Sequence, residues 1–213
     1  AIVVYGMHLH PGSPRYIMTS GAWETPCGSI EVERDLAGQL AGRFSFEIET
    51  PRSFNRDNTI ELQLPFVKYF FPNARLVSLG VPPDAASLEI GQAVVEMAAE
   101  LNIQIKVIGS TDLTHYGFNY GFTSHGTGQE ALQWVKGDND RRMIEAMLAM
   151  DPETVINEAN ASQNACCAGA AATAIASARK LGATRAEQMA YATSYDKSPG
   201  DSFVGYVGML FES

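Results

Sequence analysis

The sequence predicts an α/β protein whose parallel sheet is covered by helices, and three observations carry that expectation. Residues 2–5 form a short continuous apolar run ended by Gly6, the mark of an interior parallel strand. Residues 85–101 give the clearest amphipathic helix, with Leu88, Gly91, Val95, Ala98 and Ala99 along one stripe and Asn102 closing it. That helix lies between strand-like runs at 75–81 and 103–108, and strand, helix, strand with short joints is a βαβ unit.

The remaining elements follow in order. Residues 15–19 and 29–32 read as short strands around a turn, Gly21 to Gly28, a hairpin over the main sheet in which Cys27 is a small buried residue. A modest helix follows at 33–40, then an alternating strand at 46–49. Ile60, Leu64 and Val67 share one helical face, capped by Asp57 or Asn58 and kinked or broken at Pro65. Residues 116–128 are an irregular Gly/aromatic stretch. The helical period of 130–150 is interrupted at Gly137-Asp138-Asn139-Asp140, which reads as the capped start of a second helix. Asp151-Pro152 opens another, with Asp151 as N-cap. An alanine-rich helix runs to about Lys180, and strands at 189–193 and 203–211 enclose a Ser/Asp/Pro/Gly loop.

Composition bounds what such a chain does. With 213 residues it suits one sizeable core, a single domain spanning 1–213. A net charge of −9 without clustered Lys and Arg argues against nucleic acid. No apolar run approaches the roughly 20 residues of a membrane helix. Three cysteines, two of them adjacent, do not make a disulfide framework and suit a reducing cytoplasm. The chain opens directly in an apolar strand without Met, as a mature start or as a chain lacking its natural N-terminal segment.

Chemistry concentrates at a few points. Ile108-Gly109-Ser110-Thr111-Asp112-Leu113-Thr114-His115-Tyr116-Gly117 presents Asp112 and His115 at a strand end, where α/β sheets collect their sites. Met7-His8-Leu9-His10 gives His-x-His at another strand end, a metal signal, or one ligand beside one structural histidine. Both point to one side if the strand continues. Cys166, in the first turn of its helix, is a nucleophile or soft metal ligand, or it packs with Cys167 as a small buried residue. Glu61 answers a helix macrodipole or aims at the site, and His125 lies on a glycine-flanked loop.

Taken together, Ile60-Glu61-Leu62-Gln63-Leu64-Pro65-Phe66, Ser110-Thr111-Asp112-Leu113-Thr114-His115-Tyr116-Gly117, Ala165-Cys166 before a Gly-Ala helix, Tyr191-Ala192-Thr193-Ser194, Gly200-Asp201 and Val204-Gly205-Tyr206 resemble the Memo family. Trp23-Glu24-Thr25-Pro26-Cys27-Gly28 matches it too, so the likeness spans nearly the whole chain. The resemblance implies the class III extradiol dioxygenase fold, a three-layer α/β/α sandwich with a mixed, largely parallel sheet. It also implies a metal-competent pocket of two histidines and a cysteine, here Cys166 with His8 or His10, His10 being favoured. Two features depart from the family pattern. Its upstream Pro-His-Ala-Gly-Tyr histidine is not among these residues, and Asn58 stands where a histidine is usual.

The expected activity is that of a metal-dependent oxidoreductase related to extradiol ring-cleavage dioxygenases, acting on a small molecule. Iron(II) is the favoured ion, with copper or zinc the alternatives. His115 is the expected general acid/base, oriented by Asp112, with Glu61 a further proton acceptor. Two other readings stand beside it: a zinc hydrolase, and a non-catalytic adaptor with a vestigial pocket that binds a peptide or protein. A homodimer is compatible with each.

Overall fold

The computed structural model describes residues 1–213. The chain runs β1 (Ile2–Gly6), β2 (Tyr16–Met18), β3 (Ala22–Thr25), β4 (Gly28–Glu31), α1 (Arg34–Arg43), β5 (Glu47–Glu49), α2 (Asn58–Glu61), α3 (Leu64–Phe70) and β6 (Leu76–Gly80). It continues through α4 (Ala85–Glu100), β7 (Lys106–Gly109), β8 (His115–Gly117), α5 (Gly128–Trp134), α6 (Asp140–Leu148), α7 (Pro152–Ser162), α8 (Ala168–Lys180), β9 (Arg185–Thr193) and β10 (Ser202–Glu212).

The main sheet has the order β5-β2-β6-β1-β7. β1 pairs in parallel with both β6 and β7, whereas β2 is antiparallel to β6 and parallel to β5. This is the expected mixed, largely parallel sheet. Alternation along β1 divides the core. Val3 and Tyr5 pack with α1, α4 and α8 through Leu36, Leu40, Ile90, Val94 and Ala170. Ile2 and Val4 face Ile60, Leu64 and Val67 of α2 and α3. Helices on both faces of one sheet make an α/β/α sandwich. A second sheet, β8-β10-β9, packs against α6 and α8, and α7 lies against those two helices. No helix is long and apolar enough to cross a membrane.

Four local expectations are corrected. The stretch read as a turn is itself a hairpin, β3 pairing with β4 from Ala22↔Glu31 to Thr25↔Gly28, and Cys27 is exposed at its two-residue tip. Residues 103–105 stay out of β7 because the end of α4 claims them. Asn102 takes φ 55°, its N–H reaches Ala99 O, and the Ile103 N–H reaches Ala98 O, a left-handed helix stop. A second helix, α6, does begin at Asp140, but without the expected cap, since Asn139 keeps helical dihedrals (φ −63°, ψ −51°) and makes no side-chain cap bond. A π-helical stretch, Val135–Asn139, joins α5 to α6 instead, and the Asn139 and Asp140 side chains turn inward. Cys166 precedes α8 rather than lying in its first turn, and Cys167 occupies the N-cap.

Candidate functional site

β1 ends at Gly6, where a Cβ would meet Ile60 Cγ1 and Thr59 Oγ1 at 2.6 Å, so only glycine lets α2 come this close. Met7 then takes φ 76°, which breaks the strand alternation. Its N–H donates to Thr59 Oγ1 (2.6 Å). The next residue, His8, is held by Asp57: its backbone N–H donates to Oδ2 (2.9 Å), and Nδ1 lies 2.7 Å from the same oxygen. Asp57 Oδ1 caps α2 at Thr59 N (2.8 Å). One carboxylate therefore starts a helix and orients a histidine. Burial works against its charge, yet the bonds from Thr59 and His8 keep the Asp57 carboxyl below the usual range.

The loop after β7 supplies the opposite wall. The Asp112 N–H points at Cys166 Sγ (3.3 Å), and the Cys166 N–H returns to Asp112 O (3.2 Å). The Cys167 N–H donates to Thr111 Oγ1 (3.0 Å). His115 Nε2 lies 3.3 Å from Asp112 Oδ2, and its ring is 4.9 Å from that of Tyr120. Between Asp112 and His115, the Thr114 N–H donates to Asp140 Oδ1 (3.0 Å), and Asn139 Nδ2 reaches Thr114 Oγ1 (3.0 Å). Tyr191 Oη donates to Asp140 Oδ2 (2.7 Å). Gly205 leaves room for that carboxylate, because a Cβ there would sit 2.0 Å from Oδ2. The π-helical stretch thus leads Asn139 and Asp140 onto the Asp112/His115 loop, a use such turns often have near sites. Gln63 Nε2 to Ser110 Oγ (3.2 Å) and Ser110 Oγ to Thr59 O (2.8 Å) tie this loop to α2.

Cys166 Sγ is common to two donor groups, His8/Cys166/Cys167 and Asp112/His115/Cys166, each with its ligand atoms within 4.8 Å of one another. The Cys167 thiol lies 3.6 Å from it. That contact, with the two histidines and the Asp112 N–H, outweighs burial and holds the Cys166 thiol far below the ordinary range. Its hydrogen bond to Cys166, together with burial, pushes Cys167 the other way. Cys166 is the first cause raising His8 to about 9. Asp112, then Cys166, raises His115 to about 9. Tyr206, half-exposed, has its phenol raised by burial and by the nearby charges of Asp112, Tyr120 and Cys166.

Of the residues singled out in the sequence, His8, Asp112, His115 and Cys166 come together. His10 and Glu61 do not. His10 is exposed, its N–H turned to Ser13 Oγ (3.1 Å), because the chain leaves the strand at Met7. Glu61 is exposed on the solvent side of α2, where Ile60 takes the inward position. His125 stacks on Trp134 with ring centroids 3.8 Å apart. Sequence reasoning did not assign Asp57, Asp140, Asn139, Tyr120 or Tyr206 to the site. The signals there were the interrupted helical period at 137–140, Asp57 as a helix cap and the motif Val204-Gly205-Tyr206.

An α/β/α sandwich that brings the Cys166 sulfur, just before α8, within reach of two carboxylate-paired imidazoles at its strand ends defines a class of protein with a donor group that could hold a metal. The Memo-like protein family model matches residues 1–210. A MEMO1 family protein of Caldivirga maquilingensis is 34% identical over 216 residues, covering 99% of this chain and 71% of that protein. MEMO1 family proteins of Thermococcus onnurineus and Methanopyrus kandleri are each 32% identical, over 96% and 99% of this chain and 73% and 71% of theirs. The chain belongs to the Memo family.

Proposed function

We propose that the chain is a metal-dependent oxidoreductase related to the extradiol dioxygenases, with iron(II) or copper held by Cys166 and His8. The carrying observation is the sharing of Cys166 Sγ by two donor groups. The donor set fits such an ion. A thiolate with imidazoles suits iron, copper or zinc and disfavours magnesium, and donor atoms within 4.8 Å match metal–ligand bonds of about 2.0–2.3 Å. Cys167 is a third donor within reach.

The ion would supply open positions for oxygen and a chelating substrate such as a catechol. Asp57 fixes the His8 ring through Nδ1 and leaves Nε2 for the ion. His115, whose charged form the Asp112 carboxylate favours, acts first as an acid, its orientation set by Asp112. Tyr120 and Tyr206 offer aromatic faces on that side.

Elemental analysis of protein purified anaerobically without a His tag, beside Cys166→Ser, tests this reading. About one equivalent of iron or copper is expected, lost in the variant, with oxygen uptake on catechols. Stoichiometric zinc without oxygen uptake would move the assignment to a hydrolase. A second reading, peptide or protein recognition, draws on Phe66, Tyr69 and Phe70, which are exposed together on α3. Absence of any bound metal would favour it.

A further inference from the structure

Cys166 and Cys167 differ in every respect that matters to sulfur chemistry. Cys166 is partly exposed, receives the Asp112 N–H on its sulfur, and has imidazoles on two sides. Cys167 is 1% exposed, has its own N–H on Thr111, and aims its sulfur at Cys166 from 3.6 Å. An attacking sulfur needs access and a place for the leaving group's proton. A resolving sulfur needs only proximity.

We propose that Cys166 and Cys167 form a peroxide-reactive dithiol, Cys166 being the sulfur oxidised first and Cys167 the one that resolves it. In the first step Cys166 sulfur attacks the outer oxygen of a hydroperoxide. The S–O bond forms, the O–O bond breaks, and the alkoxide (hydroxide from hydrogen peroxide) leaves with the proton that the Cys166 thiol gives up. Cys166 is then a sulfenic acid and the peroxide has been reduced to an alcohol or water. In the second step Cys167 sulfur attacks Cys166 sulfur. The S–S bond forms, the S–O bond breaks, and the Cys167 proton leaves with the hydroxyl as water. Two thiols and one hydroperoxide thus give one disulfide, one alcohol and one water.

Chain geometry makes this disulfide a transient one. Neighbouring Cα atoms are about 3.8 Å apart, below the roughly 4.4–6.8 Å that unstrained disulfides span. The strained bond is readily reduced by a dithiol. Cys167 already has non-helical backbone (φ −129°, ψ 54°), so the distortion falls outside α8.

The test uses chelator-treated full-length protein and equimolar tert-butyl hydroperoxide, with intact-mass and peptide mass spectrometry. The expected product has lost two hydrogens, the loss mapping to the peptide holding both cysteines, and dithiothreitol restores it. Cys167→Ser should instead give a dimedone-trappable sulfenic acid at Cys166. Cys166→Ser should lose thiol at least about tenfold more slowly. Cys27→Ser, run alongside, should behave as the wild type. Sulfinic acid at Cys166 with Cys167 still free in the wild type would overturn the proposal, whatever the variants do. A linkage through Cys27 would overturn it equally. Metal binding is read separately by elemental analysis, so this proposal and the metal assignment fail independently.

Discussion

Two histidines flank one sulfur, each paired with a carboxylate, and the two pairs are built differently. His8–Asp57 joins residues 49 apart at 2.7 Å, and the Asp57 side chain is 8% exposed. His115–Asp112 is a local pair three residues apart at 3.3 Å, and the Asp112 side chain is 44% exposed. The first pair is anchored by its own helix cap. The second is held from behind, through Thr114, by the fully buried Asp140. A buried anchored carboxylate fixes a ring, which suits a ligand. An exposed local one stays open to solvent, although the His115 ring itself, 29% exposed, is more enclosed than that of His8 at 44%. The difference agrees with the proposed division, His8 for binding and His115 for proton transfer.

The largest effect should come from removing the rear support. Asp140→Ala strands the buried Thr114 N–H and takes the partner from the half-buried Tyr191 hydroxyl. A loss of about 2–4 kcal/mol is expected by urea denaturation. Asp140→Asn, nearly isosteric, should recover part of it. An Asp140→Ala protein as stable as wild type would show that the Thr114 loop is supported elsewhere. Next comes Asp57→Ala, which removes a helix cap and the His8 contact and should cost about 1–2 kcal/mol. Its NMR signature is local: His8 moves and His115 does not. A matching shift in His115 would mean the two pairs are one network.

These carboxylates also show what the sequence could and could not disclose. Strands and helices were legible because a two-faced sheet requires continuous apolar runs, as at Ile2 to Tyr5, and a covering helix requires a stripe, as in α4. Asp112, His115 and Cys166 were legible as motif residues at element ends. Asp57 and Asp140 were not, because an acidic residue at a helix boundary looks like an ordinary cap whether or not it also reaches across the fold. The preference for His10 over His8 rested on the family resemblance; strand alternation put both on one side and could not foresee the positive φ of Met7, after which His8 turns to Asp57 and His10 to solvent. The π-helical stretch was read as a break because helix-poor residues, Gly137 to Asn139, signal termination unless a tertiary contact such as Asn139 to Thr114 holds them.

A sharper comparison exchanges one partner at a time and follows both rings by NMR. The first cause raising His115 is Asp112, whereas the first cause raising His8 is Cys166. Asp112→Asn should therefore lower His115 more than Asp57→Asn lowers His8. Cys166→Ser should lower both, His8 the further. Equal responses to the two carboxylate variants would remove the distinction between the pairs.

The smallest effect is a slope in stability against pH for the metal-free protein. Both histidines sit at about 9 when folded, against about 6.5 for an unfolded histidine. The folded state then binds more protons than the unfolded one across that interval. The stability these two groups contribute is complete below about pH 6.5 and disappears as pH rises through about 9. Cys166 runs opposite. Its folded thiol is held below the unfolded value of about 8.5, so its contribution grows with pH up to that point. The two histidines, joined above about pH 8.5 by the raised Cys167 thiol, outweigh Cys166 and the lowered Ala1 amino group and leave a net decline, shallow because both histidines are partly solvent-screened. Urea midpoints at pH 6, 7.5 and 9 should fall in that order, and in Asp112→Asn they should draw level, since His115 then loses its main support. Midpoints that climb toward pH 9 in the wild type would mean that the thiolate outweighs both imidazoles.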